Sequence, residues 1–383
     1  MESALDDELR RHTRDGMQIH YLINGLNGGG AAFPIPDLVA HMRGRGHQVR
    51  VLALQPQDRR SCAWLDRAGI EWQVLGRRDR DWFGAARALH AELDRDRPDL
   101  IWTSLTGATV YGQVMGATQR IPVVSWQHNA FLRPGNRRLL QLTRSLTDFW
   151  VADSQSVVDF SVRTLGLEPS RVMRWPIFRA RDDAKQARTW TAGTSLRIGS
   201  LGRLHPNKRY DQLIEAVAAF SARAPALAAR VEFVVGGSGE EFQRLTAQVR
   251  ARGLEGRVNF VGFVDDTEAF LAGLDGYIQT SHHEGMCIAA HEAMQAGLPV
   301  ICTAVGELQY SVEPGRSGWL VPIDDVDATA TAIAALAANP QAAAQMGRYG
   351  RERLLERFGA AAFRRAGDAV LSRAEALVAQ RAQ

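Results

Sequence analysis

The sequence has few cysteines, few lysines and no long apolar segment, and each shortage excludes a class of protein. Three widely separated cysteines in 383 residues suggest neither a disulfide framework nor a zinc site. No apolar run approaches the roughly 18–20 residues of a membrane-spanning helix. The charged first 16 residues also lack the apolar stretch of a signal peptide. We therefore expect a cytoplasmic protein.

The charge is unevenly distributed along the chain. Residues 1–190 carry 27 Lys and Arg against 21 Asp and Glu, a net charge of +6, whereas residues 191–383 carry a net charge of −2. The first half is therefore expected to meet an anionic partner, although no basic block of the nucleic-acid-binding type occurs. Only two of the 46 basic residues are lysines, Lys185 and Lys208. Lysine supplies a compact charge that arginine does not replace at every site. Lys208, between a predicted strand and a predicted helix, is therefore a candidate functional residue.

Short β-branched runs alternate with helical periods through both halves of the chain. The predicted strands are 19–25, 49–54, 71–75, 99–103, 122–126 and 149–153, then 196–202, 231–237, 258–263, 276–281, 299–303 and 318–322. Two such series predict two doubly wound parallel sheets that face each other across a cleft. We expect one domain at 1–190, a second at 191–358, and a helix at 359–383 that packs back towards the first domain. Ligands bind beyond the carboxyl ends of parallel strands, so residues that follow strands are the informative ones.

A glycine-rich loop, NGLNGGGAA at 24–32, follows the first predicted strand. Its glycines allow close approach of the backbone to an anion, although a strained turn explains the pattern equally well. The loop is not a dinucleotide fingerprint, because Phe33 occupies the position of its third glycine.

The segment GRLHPNK at 202–208 carries two cations between a predicted strand and helix. Arg203 and Lys208 near a helix N-terminus suit a diphosphate, and the alternative is a solvated basic turn.

The segment 282–300 carries two glutamates, with Glu284 in a loop and Glu292 in the next helix. Their separation is too large for a hydrolase acid–base pair, so we expect separate contacts to ligand hydroxyls. His282, His283 and His291 do not have the HExxH spacing of a zinc site.

These motifs occur together in an order that identifies a family. GRL…K, GSGEEFQRL at 237–245, RVNFVGFV at 257–264, EG…E and AGLPVI at 296–301 follow one another over residues 196–338. The chain resembles the retaining glycosyltransferases of the GT-B fold, specifically family 4, the "glycosyl transferases group 1" type. The first half is a weaker match, carried by the glycine loop and by a histidine after PVVSWQ.

The resemblance implies a role for each matching residue. Arg203 and Lys208 match the pair that holds the donor diphosphate, and Glu292 matches the glutamate that binds the nucleotide ribose. Glu284 matches the glutamate near the donor sugar. Gly285, Met286, Cys287 and Ile288 match the backbone that lies along the sugar and phosphate, and Phe263 and Val264 match the residues that seat the base. Gly29 and Gly30 match the loop that faces the phosphates. His128 matches the histidine near the transferred sugar, and the alternative is a histidine with a purely structural role.

The resemblance also implies a chemistry. We expect a metal-independent transfer of a sugar, with retention of the anomer, from a nucleoside diphosphate sugar that acts as co-substrate; no cofactor is expected. The acceptor is expected to be a lipid-linked or polysaccharide precursor of bacterial cell-surface glycans. The sequence departs from the family at Ala32, which replaces an acid, and at Met286 and Cys287. These departures bear on the acceptor and on the sugar.

The segment 128–147 contains four arginines, no acid and leucines at helical spacing. Such a helix is suited to an anionic membrane or to a lipid-linked pyrophosphate, whereas an ordinary helix would pack its leucines inward. Peripheral attachment to the inner face of the cytoplasmic membrane is therefore a hypothesis.

Two other functions remain open. A nucleotide-sugar epimerase would act without an acceptor, and a non-catalytic partner subunit would bind nucleotide only. The sequence does not indicate the base, the sugar, the acceptor, the linkage or the oligomeric state.

Overall fold

The computed structural model describes residues 16–27, 31–188, 190 and 194–383. These residues form two compact units. The first unit contains the described residues up to His128, together with Leu132–Ile177 and Phe363–Gln383, and the second contains Asn129–Phe131 and Phe178–Ala362.

The described part of the first unit has a parallel sheet of seven strands. Their order is β3-β2-β1-β4-β5-β6-β7, so the connections reverse direction between β1 and β4. The strands are β1 (Gln18–Gly25), β2 (Gln48–Gln55), β3 (Glu71–Val74), β4 (Leu100–Ser104), β5 (Val123–Gln127), β6 (Phe149–Ala152) and β7 (Val172–Arg174). The helices of this unit are α1 (Ile35–Gly44), α2 (Cys62–Arg67), α3 (Trp82–Arg95), α4 (Thr106–Gln119), α5 (Pro134–Thr143) and α6 (Gln155–Arg163), with α15 (Ala360–Ala382) contributing from Phe363 onward.

The central strands of this sheet are buried along almost their whole length. Their apolar residues are continuous rather than alternating, as expected for parallel strands that helices cover on both faces. Trp102, Trp126 and Trp175 pack against one another with ring centroids 5.2–6.1 Å apart. The C-terminal segment joins this core, because Phe363 lies 5.6 Å from Trp175.

The described part of the second unit has a parallel sheet of six strands in the order β10-β9-β8-β11-β12-β13. The strands are β8 (Leu196–Leu201), β9 (Val231–Gly236), β10 (Val258–Gly262), β11 (Gly276–Gln279), β12 (Val300–Thr303) and β13 (Gly318–Val321). The helices are α7 (Tyr210–Arg223), α8 (Pro225–Ala228), α9 (Phe242–Ala251), α10 (Thr267–Ala272), α11 (Ile288–Gln295), α12 (Leu308–Ser311), α13 (Val326–Ala338) and α14 (Pro340–Phe358).

Helix α7 shows how the sequence pattern builds this unit. The apolar residues at helical spacing, Tyr210, Leu213, Ile214, Val217 and Phe220, are all buried in its core.

The prediction of two doubly wound parallel sheets is confirmed, and each predicted strand is present to within two residues at each end. Strand β7 was missed because its three residues are too few for a period. Residues 178–188 belong to the second unit, whereas the expected boundary between the two domains was at 190. Two backbone bonds support this division, from Ala187 N–H to the Ala296 carbonyl and from Arg188 N–H to the Ala272 carbonyl.

Candidate functional site

The predicted phosphate- and sugar-binding residues of the second unit follow β8 and β11, the pair at which its strand connections reverse direction. Neighbouring loops at such a switch point leave a crevice, which is where open α/β sheets bind ligands. The turn Pro206–Lys208 follows β8, and the loop with Glu284 follows β11. Asn207 joins the two segments, since its Nδ2 donates to the His283 carbonyl over 2.8 Å. The strand order thus brings together residues 76 positions apart.

Lys208 and Glu284 form an ion pair inside this crevice. Nζ of Lys208 donates to Oε1 of Glu284 over 2.7 Å, and both side chains are largely buried. Burial alone would lower the pKa of the ammonium, but the Glu284 carboxylate outweighs it and holds that pKa above its ordinary value. Lys208 stays charged and has two further N–H groups to donate. Lys208 is therefore a largely buried, paired cation and not a solvated one.

Arg203 differs from Lys208 in its surroundings. It is exposed and makes no ion pair or hydrogen bond with any residue that the structure describes. An unpaired guanidinium beside the paired ammonium gives this turn a net positive charge, which suits an anion with several oxygens.

Glu292 projects from α11 and is partly buried. Within the described chain its carboxylate has no hydrogen bond or ion pair. Burial, and to a lesser extent the neighbouring Glu268 carboxylate, raises the pKa of Glu292 from 4.5 to about 7, against the effect of Arg181. No contact joins Glu292 to the Lys208–Glu284 pair in the described structure. A desolvated carboxylate without a partner is able to accept hydrogen bonds from a ligand.

The loop between Glu284 and α11 has an unusual backbone. Cys287, immediately before the helix, adopts φ 58° and ψ 63°, the left-handed region that few residues other than glycine enter. The carbonyl of Gly285 accepts from the N–H of Glu307 over 2.8 Å. Gly306 has φ 55°, and a β-carbon there would lie 2.4 Å from the Gly285 carbonyl oxygen, so only glycine fits.

The residues predicted to seat the base follow β10. Phe263 is half-exposed, and Val264 borders the end of β9, where a β-carbon on Gly236 would lie 2.7 Å from its side chain. Gly29 and Gly30, the predicted phosphate loop, lie outside the described residues.

In the first unit, His128 follows β5 and lies between side chains from both neighbouring strands. Its Nε2 is 2.6 Å from Oγ of Ser104 at the end of β4, and its Nδ1 is 3.4 Å from Oδ2 of Asp153 just after β6. All three side chains are almost fully buried. Burial raises the pKa of Asp153, while the interactions with His128 oppose that rise.

Ser104 and Asp153 were not predicted from the sequence. Each is an ordinary residue at a strand end, and only the order β4-β5-β6 makes them neighbours of His128. A signal was available, because Ser104 directly follows the predicted strand 99–103 and Asp153 is the last residue of the predicted strand 149–153. Two ring nitrogens held from opposite sides fix the orientation of the imidazole.

The segment predicted to meet an anionic partner forms α5. Of its leucines only Leu140 is buried, whereas Leu142 is 80% exposed and Leu139 41%. Arg137 and Arg138 are also exposed. The expectation for an ordinary helix, with leucines packed inward, is therefore wrong for most of this helix.

Arg144 does not belong to the exposed face of this segment. It donates to the Leu165 carbonyl over 3.0 Å and lies over Gly166.

The described residues contain neither a metal-binding cluster nor a helix fit to span a membrane. Across residues 16–27, 31–188, 190 and 194–383, no group of three His, Cys, Asp or Glu side chains is arranged to hold a metal ion. In the same residues, no helix has both the length and the apolar character needed to cross a membrane.

Two doubly wound parallel sheets, with polar residues at their switch points, define a protein of the GT-B architecture. Family models agree with this class: "Glycosyl transferases group 1" matches residues 182–353, and "Glycosyltransferase Family 4" matches residues 28–178. The chain belongs to the family 4 glycosyltransferases of the GT-B fold.

Curated relatives match part of the chain. The lipopolysaccharide core biosynthesis glycosyltransferase LpsE of Rhizobium meliloti is 33% identical over 161 residues, which are 42% of this chain and 45% of that protein. A D-inositol 3-phosphate glycosyltransferase of Saccharomonospora viridis is 34% identical over 178 residues, 44% of this chain and 40% of that protein. The chain thus matches less than half the length of these relatives.

Solved structures match nearly the whole chain at lower identity. Anabaena Alr3699/HepE in complex with UDP-glucose has a TM-score of 0.80 at 22% identity, covering 93% of this chain and 99% of that one. Sucrose-phosphate synthase from Thermosynechococcus elongatus has a TM-score of 0.75 at 20% identity, covering 94% of this chain and 100% of that one. These likenesses confirm the GT-B fold.

Proposed function

We propose that the protein transfers a sugar from a nucleoside diphosphate sugar to an acceptor. The observation that carries the proposal is the Lys208–Glu284 pair at the switch point of the second sheet, together with Arg203 in the same segment after β8, which has no partner among the described residues. A donor of this class carries a diphosphate, whose leaving group gains negative charge as the sugar departs. Cations and N–H groups aimed at that charge stabilise the transition state, and removing one such donor costs about 3–4 kcal/mol in related cases.

Each residue has a distinct role in this proposal. Lys208 and Arg203 bind the diphosphate, with further N–H groups from the loop at 285–288. Glu284 orients the ammonium and accepts from a sugar hydroxyl. Glu292 accepts from the ribose, and Phe263 with Val264 contacts the base.

The transfer proceeds with retention and without a metal ion. The bond between C1 of the sugar and the phosphate oxygen breaks, and the acceptor oxygen bonds to C1 on the face that the phosphate leaves. The acceptor proton passes to the departing phosphate oxygen, so no protein nucleophile takes part. Lys208, held by Glu284, and Arg203 supply the positive charge that a divalent ion would otherwise provide, and the lack of a partner for Arg203 among the described residues supports this role.

His128 lies near the transferred sugar in this proposal. Ser104 and Asp153 hold its ring from both sides, which is the support that a residue needs when it contacts a substrate in a fixed direction.

The acceptor is proposed to be a lipid-linked or polysaccharide precursor of a bacterial cell-surface glycan. The name of the LpsE relative, a lipopolysaccharide core enzyme, supports this class. The exposed face of α5 supports a lipid surface, because Leu139 and Leu142 lie beside Arg137 and Arg138 and no acid occurs in 128–147. The protein would then work on the inner face of the cytoplasmic membrane.

The donor assignment is tested with a thermal-shift panel of UDP-, GDP- and ADP-sugars in EDTA. A ligand at a hundred times its dissociation constant adds about 2.7 kcal/mol to the stability of the unit that binds it. The wild type should respond to one base, and Lys208→Ala should not. A panel without any shift would refute the donor class, and a requirement for a divalent ion would refute metal independence.

The reaction is tested with the selected donor and glycan acceptors, followed by NMR of the anomeric proton. Retention supports the mechanism, and inversion contradicts it. Conversion of the sugar without acceptor would indicate an epimerase, whereas tight binding without any turnover would indicate a non-catalytic subunit.

The membrane proposal has its own assay. Co-sedimentation with phosphatidylglycerol vesicles should be lost when Arg133, Arg137 and Arg138 are changed to Glu, and weakened by Leu142→Ser. Leu140→Ala changes the buried leucine of the same helix and serves as the control. Equal sedimentation of all variants would contradict a lipid surface.

A further inference from the structure

The backbone at Cys287 is strained and therefore needs an explanation. A residue other than glycine in the left-handed region costs on the order of 1–3 kcal/mol, and such residues cluster where a function depends on them. Cys287 lies immediately before the first residue of α11, in the loop that the proposed function gives to the diphosphate. Something in the surrounding structure must hold it there.

The carbonyl of Cys287 accepts three hydrogen bonds. Two are ordinary backbone bonds of a first helical turn, from the N–H groups of Ala290 and His291, both over 3.2 Å. The third involves the His291 side chain, whose Nδ1 lies 3.0 Å from the same oxygen. A carbonyl cannot donate, so Nδ1 of His291 carries the proton.

The other ring nitrogen is consistent with this assignment. Nε2 of His291 lies 2.9 Å from Oγ of Ser311, the last residue of α12. The Ser311 hydroxyl therefore donates to Nε2. The ring is fully buried between Phe178 and Phe358. Burial lowers the pKa of His291 to about 4, so the neutral ring keeps one tautomer across the physiological range.

The anchored carbonyls determine where the neighbouring N–H groups point. In a trans peptide the C=O and N–H of one unit point in opposite directions. The Cys287 carbonyl is directed into α11, so the N–H of Ile288 points out of the helix N-terminus. The Gly285 carbonyl is directed at Glu307, so the N–H of Met286 also points away from that segment. The Ile288 N–H thus faces the side where a helix N-terminus attracts anions.

We propose that His291 is a positioning residue for the donor diphosphate: its Nδ1–H holds the Cys287 carbonyl and so aims the N–H of Ile288 at a phosphate oxygen. The inference rests on the proposed function, and it extends that function to a buried side chain that touches no ligand. The geometry also explains the strain at Cys287, because the side-chain bond compensates for it.

The test compares three variants at equilibrium, with inorganic pyrophosphate and with the UDP or GDP selected above as probes. His291→Phe fills the aromatic pocket but removes the donor, and His291→Gln restores a side-chain N–H. Phe178→Leu perturbs the same pocket and leaves the carbonyl bond, so it is the matched control for packing. Thermal unfolding of each variant confirms that it is folded.

We expect His291→Phe to weaken pyrophosphate and nucleotide binding about tenfold, the effect of one or two well-aimed hydrogen bonds to a charged group. Binding of the nucleoside alone should not change. His291→Gln should recover most of the loss, and Phe178→Leu should bind as the wild type does. In ¹⁵N NMR of the wild type, the His291 ring should show a proton on Nδ1.

Three results would overturn the inference. One is unchanged pyrophosphate binding by His291→Phe, another is an equal loss of nucleoside binding, and the third is a ring protonated on Nε2. Lys208→Ala separates this inference from the function on which it rests. If Lys208→Ala abolishes pyrophosphate binding and His291→Phe does not, only the inference fails. If the wild type binds neither pyrophosphate nor nucleotide, both fail.

Discussion

Replacing Glu292 by Gln should stabilise the protein while it impairs nucleotide binding. The carboxyl is partly buried, has no partner in the described chain, and has a pKa raised from 4.5 to about 7, chiefly by burial and then by Glu268. Each pKa unit corresponds to about 1.4 kcal/mol, so the ionised carboxylate costs the folded state at most about 3.5 kcal/mol. Because solvent screens a partly exposed group, we expect about 1–3 kcal/mol from Glu292→Gln at pH 8.

The sign of the pH dependence follows from the raised pKa. The folded protein holds the proton of Glu292 more tightly than the unfolded chain does. The stabilising contribution is therefore complete below pH 4.5 and is lost as the pH rises towards 7. Glu292→Gln removes this dependence, so its advantage over the wild type should be large at pH 8 and small at pH 5.

The assay is calorimetric unfolding of both proteins at pH 5 and pH 8. For a domain of 150–250 residues, 1 kcal/mol corresponds to about 2–4 °C in Tm, so the variant should gain several degrees at pH 8. Glu352→Gln, which changes an exposed carboxylate on α14, is the control and should change Tm little. The nucleotide should raise the Tm of the wild type more than that of Glu292→Gln, because an amide has one accepting oxygen where a carboxylate has two.

An equal gain at both pH values would refute the reasoning, since the carboxylate would then not be desolvated. A variant that keeps the full response to nucleotide would remove Glu292 from the binding site. Donor affinity of the wild type should also fall below pH 7, as the carboxylate that accepts from the ribose becomes protonated.

Three further predictions follow from the same geometry. Lys208→Ala should lower kcat by about a hundredfold or more, measured by product formation at saturating donor, and near-normal turnover would contradict the electrostatic role. Gly306→Ala should destabilise the second unit by roughly 1–3 kcal/mol in urea unfolding, because its β-carbon meets the Gly285 carbonyl and its φ is positive. Asp153→Asn should lower kcat roughly ten- to a hundredfold with unchanged donor Kd, and with a changed ¹⁵N signature of His128; an unchanged kcat would make Asp153 purely structural.

The sheets could be predicted because buried parallel strands produce continuous apolar runs. Residues at strand ends could be predicted as site residues because the carboxyl ends of parallel strands lie at one edge of the sheet. Pairings between strands could not be predicted. Lys208 meets Glu284 because β8 lies beside β11, and His128 meets Asp153 because β5 lies beside β6. Strand order is a property of the whole fold that local sequence does not determine.

The side of α5 that faces water could not be predicted either. The leucine spacing indicates one apolar face, but the direction of that face depends on what lies beneath the helix. Leu140 alone packs inward, against Trp150, Leu165 and Leu167. His291 was missed for a related reason. The spacing of His291 and the other histidines was compared with a zinc motif. The ring of His291 instead bonds to a backbone carbonyl and to a serine 20 residues away.

In both sheets a residue of positive φ precedes the helix that follows the fourth strand. Leu105, with φ 74°, follows β4 and precedes α4, while Cys287, with φ 58°, precedes the helix that follows β11; β4 and β11 are the fourth strands of their sheets. Arg209, with φ 51°, precedes α7 after the first strand of the second sheet. A left-handed residue before a helix redirects the chain sharply between the strand and the helix. The packed sheets and buried side-chain bonds stabilise these turns, because the strained residues alone would not adopt them.

A last prediction tests whether the strain at Cys287 serves to orient the N-terminus of α11. If it does, Cys287→Gly should keep pyrophosphate binding while it relaxes the backbone, and Cys287→Val should lose both stability and pyrophosphate binding. Equal pyrophosphate binding by the two variants would show that the strain has no part in the site.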